Sequence, residues 1–179
     1  MSEEQKETGK EPATKQDAAV AVAAEPTIPA GEFGKALDAA RIPVRHLGLD
    51  AGGMEMVDIA PADLLQAGEH LRDKCQLDLL LSCTGVDWKD RLESVYHFYS
   101  IKTHKSLAVK VTAENGHSPS LVPIWNGADW HERESYDLIG IHYDGHPNLT
   151  RILMPTDWLG HPLRKDYKVD DPRLVWNER

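Results

Sequence analysis

The residues best equipped for chemistry gather in the second half of the chain. His131-Glu132-Arg133-Glu134-Ser135 begins like a zinc-protease motif, in which two histidines one helical turn apart hold the metal and a glutamate activates water. The second histidine would have to stand at 135, which is Ser135, so the motif fails on spacing. His142, His146 and His161 follow, with Asp144 between the first two. Histidines four apart share a face only on a helix, and Gly145 and Pro147 argue against a helix there. No cysteine assists them, and the intervals match no common metal site. Ser82 and Ser94 fall in strand-like stretches without a Gly-x-Ser-x-Gly elbow, and glycine patterns that cradle phosphates or dinucleotides are absent. Cys75 and Cys83 stand eight apart with no second pair, which suggests neither a disulfide framework nor a metal knuckle. The expectation is a chain with no catalytic, cofactor-binding or metal-binding residues of its own.

What remains is a charge cluster. At helical spacing Trp130, Glu134, Leu138 and Ile141 share a face, with Asp137 beside them and Arg133 one turn away from Asp137. Exposed ion pairs contribute only about 0–1 kcal/mol. The neighbouring aromatics Trp130 and Tyr136, however, point to partial desolvation. Glu132 and Glu134 would then need basic partners, for which Arg151, Arg164 and Lys165 are the candidates. This arrangement would clamp the helix to the segment that follows it.

The elements that must position these groups can be read from apolar spacing. Phe33, Leu37 and Ala40 lie on one helical face that Pro43 ends, and Leu64, Leu65, Gly68 and Leu71 make a second helix opened by Pro61. Between them, residues 44–49 and 54–59 flank Gly52-Gly53 and read as a hairpin. Residues 77–86 form a nearly continuous apolar run, expected of a central strand buried on both faces. Residues 95–101 are aromatic and β-branched, while Leu107, Val109 and Val111 alternate with Ala108, Lys110 and Thr112. A third helix is expected within 120–139, clearest from 129. Hairpin-joined strands grouped between helices predict an α+β fold, with helices packed on one face of a mixed, largely antiparallel sheet.

Both ends differ from this core. Residues 1–30 are rich in Ala, Glu and Lys and broken by Pro12, Pro26 and Pro29, the composition of a disordered tail. The core is expected over 31–140. Residues 141–179 carry Pro147, Pro155, Pro162 and Pro172, yet also Tyr143, Trp158, Tyr167 and Trp176, so they read as an extended arm with aromatic anchors. Such an arm either folds back on its own sheet or orders against a partner. The net charge of −9 argues against nucleic acid and against direct adhesion to an anionic membrane. No apolar stretch approaches the length of a membrane helix. Acidic residues in the first 30 positions argue against a presequence, so a cytosolic setting is expected.

The run Asp129-Trp130-His131-Glu132-Arg133-Glu134-Ser135-Tyr136-Asp137-Leu138-Ile139-Gly140-Ile141 resembles the signature of the 30 kDa subunit family of respiratory complex I. Gly145-His146-Pro147-Asn148-Leu149, Arg151-Ile152-Leu153-Met154-Pro155 and Trp158-Leu159-Gly160-His161-Pro162-Leu163-Arg164-Lys165-Asp166-Tyr167 continue the match, and Val95-Tyr96-His97-Phe98 is also similar. Thr150 departs from it, since the family more often has a basic residue or proline there. The resemblance implies a non-catalytic scaffold subunit in the peripheral arm of proton-translocating NADH:quinone oxidoreductase (complex I). It would bind chiefly the large subunit that borders the quinone cavity, near the subunit that holds the terminal iron–sulfur cluster. It would lie on the cytoplasmic side of the inner membrane and touch the membrane only through the complex. FMN, iron–sulfur clusters and quinone would belong to the assembly rather than to this chain. Residues expected at the interface, or supporting it, are Trp130, Glu132, Arg133, Glu134, Asp137, His146, Arg151, Trp158, Arg164, Lys165, Asp166 and Tyr167. Related subunits of membrane-bound hydrogenases or other quinone-linked dehydrogenases share the pattern. A rival reading of a different class is a free metal-dependent enzyme using His131, His142 and His146.

Overall fold

A computed structural model describes residues 28–168. The expected tail up to residue 27, and the end of the expected arm with Trp176, lie outside the described residues. Helix α1 (Glu32–Ala39) is followed by strands β1 (Arg45–Leu49) and β2 (Glu55–Asp58), a single 3-10 turn (Pro61–Asp63) and α2 (Leu64–Asp73). Then come β3 (Leu79–Asp87), β4 (Leu92–Tyr99), β5 (Ser106–Ala113), β6 (His117–Pro119), α3 (Ala128–Ile139) and β7 (His142–Asp144).

Five strands form one sheet in the order β1-β2-β5-β4-β3. Only β2 and β5 run parallel; the other three pairings are antiparallel. One transverse row, Val57, Val109, Tyr96 and Cys83, is in register across four strands and buried throughout. Phe33, Leu37, Leu64, Ala67, Leu71, Ala128 and Ile139 of the helices join that row in a single apolar cluster. The helices therefore share one face of the sheet, as the grouping of hairpins and helices predicts. Side chains one step along, such as Thr84, Val95, Lys110 and Asp58, turn to the wetter face.

Capping and turn chemistry define the ends. The Glu55 carboxylate reaches from β2 to accept the Phe33 and Gly34 amides at 3.0 and 2.8 Å, satisfying the first turn of α1. In the β1–β2 hairpin, Asp50 Oδ1 accepts both the Gly52 and Met54 amides at 2.8 Å. Close approach of α3 to β3 requires Gly85, where a Cβ would come within 3.1 Å of Ile141 and 3.2 Å of Ile139. At the same point the Gly85 amide donates to Ser135 Oγ at 3.0 Å.

Two expectations change. The run containing β3 is not central: β3 is an edge strand with Leu79 and Leu81 exposed, and its pairing with β4 shifts between Leu80 and Ser82. The apolar run reflects burial of Leu80 and Cys83 on one face only, with Leu81 displaced by the bulge. The second change concerns the limit between core and arm. Ile141 and Tyr143 are fully buried, and β7 pairs in parallel with β6. The Tyr143 hydroxyl lies 2.9 Å from Ser94 Oγ. We accordingly propose that the core extends to Asp144. Breakers begin only at Gly145, which leaves room for a three-residue strand.

Candidate functional site

The chemistry-bearing residues converge where α3 ends and the chain doubles back over it. Asp137 has no solvent exposure. Its Oδ1 accepts Arg151 Nη1 at 2.7 Å. Its Oδ2 accepts three successive backbone amides, those of Ile152, Leu153 and Met154, at 3.0, 2.7 and 2.9 Å. Desolvation pushes this carboxyl up, but the Met154, Leu153 and Ile152 amides and the Arg151 guanidinium outweigh it and hold it below the usual carboxylate range. Arg151 also donates to the carbonyls of Asp137 and Gly160, at 3.2 and 3.0 Å. His161 Nδ1 donates to the Asp137 carbonyl at 3.0 Å, and the Leu163 amide to the Leu138 carbonyl at 2.9 Å.

A second anchor is Asp87, at the end of β3. It accepts the Lys165 and Lys89 amides at 2.8 and 2.7 Å, and these bonds, first of all that from Lys165, lower its carboxyl. Arg164 Nε lies 3.7 Å from Asp87, and Lys165 Nζ sits over the Trp88 ring. The segment 151–167 is thus irregular in form but fixed at both ends by a buried carboxylate.

A helix-to-segment clamp therefore exists, with partners other than those read from the sequence. Arg151 pairs with Asp137, whereas Glu134 is exposed. Glu132 is buried and has no basic hydrogen-bond partner among the described residues; it accepts Ser120 Oγ at 2.6 Å and the Leu121 amide at 2.7 Å. Burial pushes it up to about 7, only partly opposed by those two donors. Arg133 does not reach Asp137 but donates to the Thr150 carbonyl and hydroxyl at 3.2 and 3.0 Å and stacks on Trp130. On the Trp130 face of α3, Trp130 and Glu134 are exposed, whereas Ala128, Glu132, Ser135 and Ile139 form the buried face.

The remaining expected residues spread around this frame. The His146 side chain is buried, with Nε2 3.3 Å from the Asp129 carbonyl. Trp158 and Tyr167 are half-buried and Asp166 is exposed. His131, His142 and His146 do not meet; His142 instead faces His117. Asp87 and Ser120 went unrecognised in the sequence. Asp87 carried one local signal, its place before the polar turn Trp88-Lys89-Asp90.

Gly140 closes α3 in the left-handed region, at φ 86°, with its amide donating to the Ser135 and Tyr136 carbonyls. A Cβ there would lie 2.6 Å from the His161 ring. Gly140→Ala is expected to cost about 1–2 kcal/mol in backbone strain alone, with further loss from displacing His161. Chemical denaturation of the two proteins checks this; equal midpoints would contradict it.

Comparison with known proteins gives a consistent family. A family model described as respiratory-chain NADH dehydrogenase, 30 Kd subunit, matches residues 57–173. An NADH-quinone oxidoreductase subunit from Chloroherpeton thalassium is 50% identical over 103 residues, 55% of this chain and 43% of that protein. The relative of the same name from Salinispora tropica is 40% identical over 158 residues, covering 84% of this chain and 60% of the relative. That from Citrifermentans bemidjiense is 41% identical over 125 residues, 67% of this chain and 78% of the relative. The chain thus spans about half the length of some of the curated relatives it matches. Among solved structures, the trypsin-resistant fragment (1-134) of Nqo5 superposes with a TM-score of 0.55 at 25% identity, covering 64% of this chain and 95% of the fragment. A membrane-bound sulfane sulfur reductase, an archaeal respiratory membrane complex, gives a TM-score of 0.50 at 20% identity over 75% of this chain and 82% of that one, a likeness of fold alone. With the family model spanning the sheet from β2 onward, all of α3 and the segment clamped to it, the chain belongs to the respiratory-chain NADH dehydrogenase 30 kDa subunit family.

Proposed function

We propose that this chain is a non-catalytic scaffold subunit of the peripheral arm of a proton-translocating NADH:quinone oxidoreductase. In this reading its main partner is the large subunit that borders the quinone cavity, with the subunit that holds the terminal iron–sulfur cluster and other peripheral-arm subunits nearby. It would sit on the cytoplasmic side of the inner membrane and be held there by the complex; no helix among the described residues is long and apolar enough to cross a membrane. FMN, iron–sulfur clusters and quinone would be carried by other subunits. An iron–sulfur cluster is ordinarily held by four thiolates. This chain has two cysteines. Burial pushes the Cys83 thiol far up, which keeps it protonated and a poor ligand.

The observation that carries the proposal is the shape of the clamped segment. Leu153, Leu159 and Leu163 are 58%, 81% and 60% exposed on a stretch whose backbone is held by Asp137, Arg151 and Asp87. Apolar side chains on a pre-ordered backbone are suited to a protein interface, because little conformational entropy remains to be lost on binding.

The test is co-purification of the tagged chain with the large quinone-cavity subunit and its iron–sulfur neighbour. Leu159→Asp combined with Leu163→Asp is expected to reduce recovery of the large subunit at least tenfold, with melting of the free chain unchanged because both leucines are exposed. Undiminished recovery would overturn the interface. A truncation used alongside it should begin after Gly145, since removing Ile141 and Tyr143 would open the core.

A further inference from the structure

The two-stranded sheet β6–β7 places three metal-competent side chains on one exposed face. His117 is opposite His142, and Asp144 is two residues beyond His142 and so on the same side. All three are exposed. His117 Nδ1 and His142 Nδ1 lie 3.0 and 3.1 Å from the same atom, Asp144 Oδ1, and one ligand atom from each residue falls within 4.8 Å of the others. The imidazole rings approach to 4.8 Å between centroids.

These groups stand on fixed backbone. The His117 amide donates to the Glu114 carbonyl at 2.9 Å, the His142 amide to the Gly116 carbonyl at 2.8 Å, and the Ser120 amide to the Asp144 carbonyl at 2.9 Å. Between His142 and Asp144, Tyr143 is anchored in the core. Zinc bonds imidazole nitrogen and carboxylate oxygen at about 2.0–2.2 Å, so tetrahedral neighbours should be about 3.3 Å apart. The observed 3.0 and 3.1 Å to Asp144 need adjustments of a few tenths of an ångström, and the two imidazole nitrogens, within 4.8 Å of each other, close to the same spacing by rotation of their exposed rings.

We infer that His117, His142 and Asp144 form a surface site for a divalent, borderline-soft cation, with zinc as its best fit. Two imidazoles favour zinc over calcium or magnesium, which prefer all-oxygen shells, and the absence of thiolates from the three disfavours copper(I). Water would complete the shell. In the metal-free chain the carboxylate accepts the two Nδ1–H groups; on binding, each Nδ1 ligates the cation and the ring carries its one proton on Nε2, facing water. The bound ion would tie β6 to β7 where the chain leaves the core, independently of the proposed role in the respiratory assembly.

The experiment is calorimetric titration of zinc into the untagged, chelator-treated full chain. The expected result is one zinc per chain, with affinity falling at least tenfold in His142→Asn and in Asp144→Asn. His131→Asn and His104→Asn, at two of the chain's nine histidines and both outside the cluster, should bind as the parent does. Zinc should raise the melting temperature of the parent but not of His142→Asn, and circular dichroism of the metal-free variants shows that they remain folded. Equal affinity in the parent and His142→Asn overturns the site, as does an equal loss in His131→Asn.

Discussion

Asp137→Ala is expected to lower the melting temperature by about 10 °C and to make the segment 151–167 the first point of proteolytic attack. The change removes the acceptor of three backbone amides and one guanidinium at a position without solvent exposure. Breaking a buried, hydrogen-bonded charge pair costs about 3–5 kcal/mol, and in a domain of this size each kcal/mol shifts melting by roughly 2–4 °C. Asp137→Asn should recover little of the loss, because its NH2 group would confront donors. Arg151→Ala alone should cost less, since the three amide bonds persist. The double variant should lose less than the sum, as both changes act on one network. Thermal melts and limited proteolysis read these effects. An Asp137→Ala melt within 2 °C of the parent, with unchanged proteolysis, would refute the clamp.

Raising the pH from about 4.5 to about 7 is expected to weaken the fold through Glu132, by on the order of 3 kcal/mol. The folded carboxyl is raised to about 7 from a reference of 4.5, so between these values the folded chain holds a proton that the unfolded chain has released. Its contribution is fully present below the unfolded value and is lost as pH rises through the folded one. Glu132→Gln removes the titration while keeping the shape and an acceptor for the Leu121 amide. The stability difference between Glu132→Gln and the parent should therefore grow in the variant's favour from pH 5 to pH 8. Urea unfolding across that range reads it directly, and a pH-independent difference would refute the assignment. Asp137, on the same helix, has the opposite sign. Its folded carboxyl is lowered, so its contribution is present above the unfolded value and is lost as pH falls through the folded one. Two buried carboxyls thus answer acid in opposite senses, because one meets four donors including a cation and the other meets two neutral ones.

Helices α1 and α2, the β1–β2 hairpin and β5 were legible because each declares itself within a dozen residues, through apolar period and turn chemistry. The position of β3 was not, since an apolar run specifies burial but not which neighbours supply it. Strand β7 escaped because three residues carry no period, and its partner His117 lies 25 positions upstream of His142. On α3, one-turn spacing suggested Arg133 for Asp137. In the fold, three amides and Arg151 claim that carboxylate instead.

By itself the sequence determined the α+β class, most of the elements that make it, and the family, through the long signature from Asp129 to Tyr167. These are local properties, carried by residue type and short spacing. Only the tertiary structure decided which charges meet. It joined Asp137 to the amides of 152–154, gave Glu132 only neutral donors among the described residues, and set His117 beside His142 and Asp144. Those pairings depend on convergence of distant backbone and on the burial that makes each unsatisfied group costly, and neither is written in the spacing of the chain.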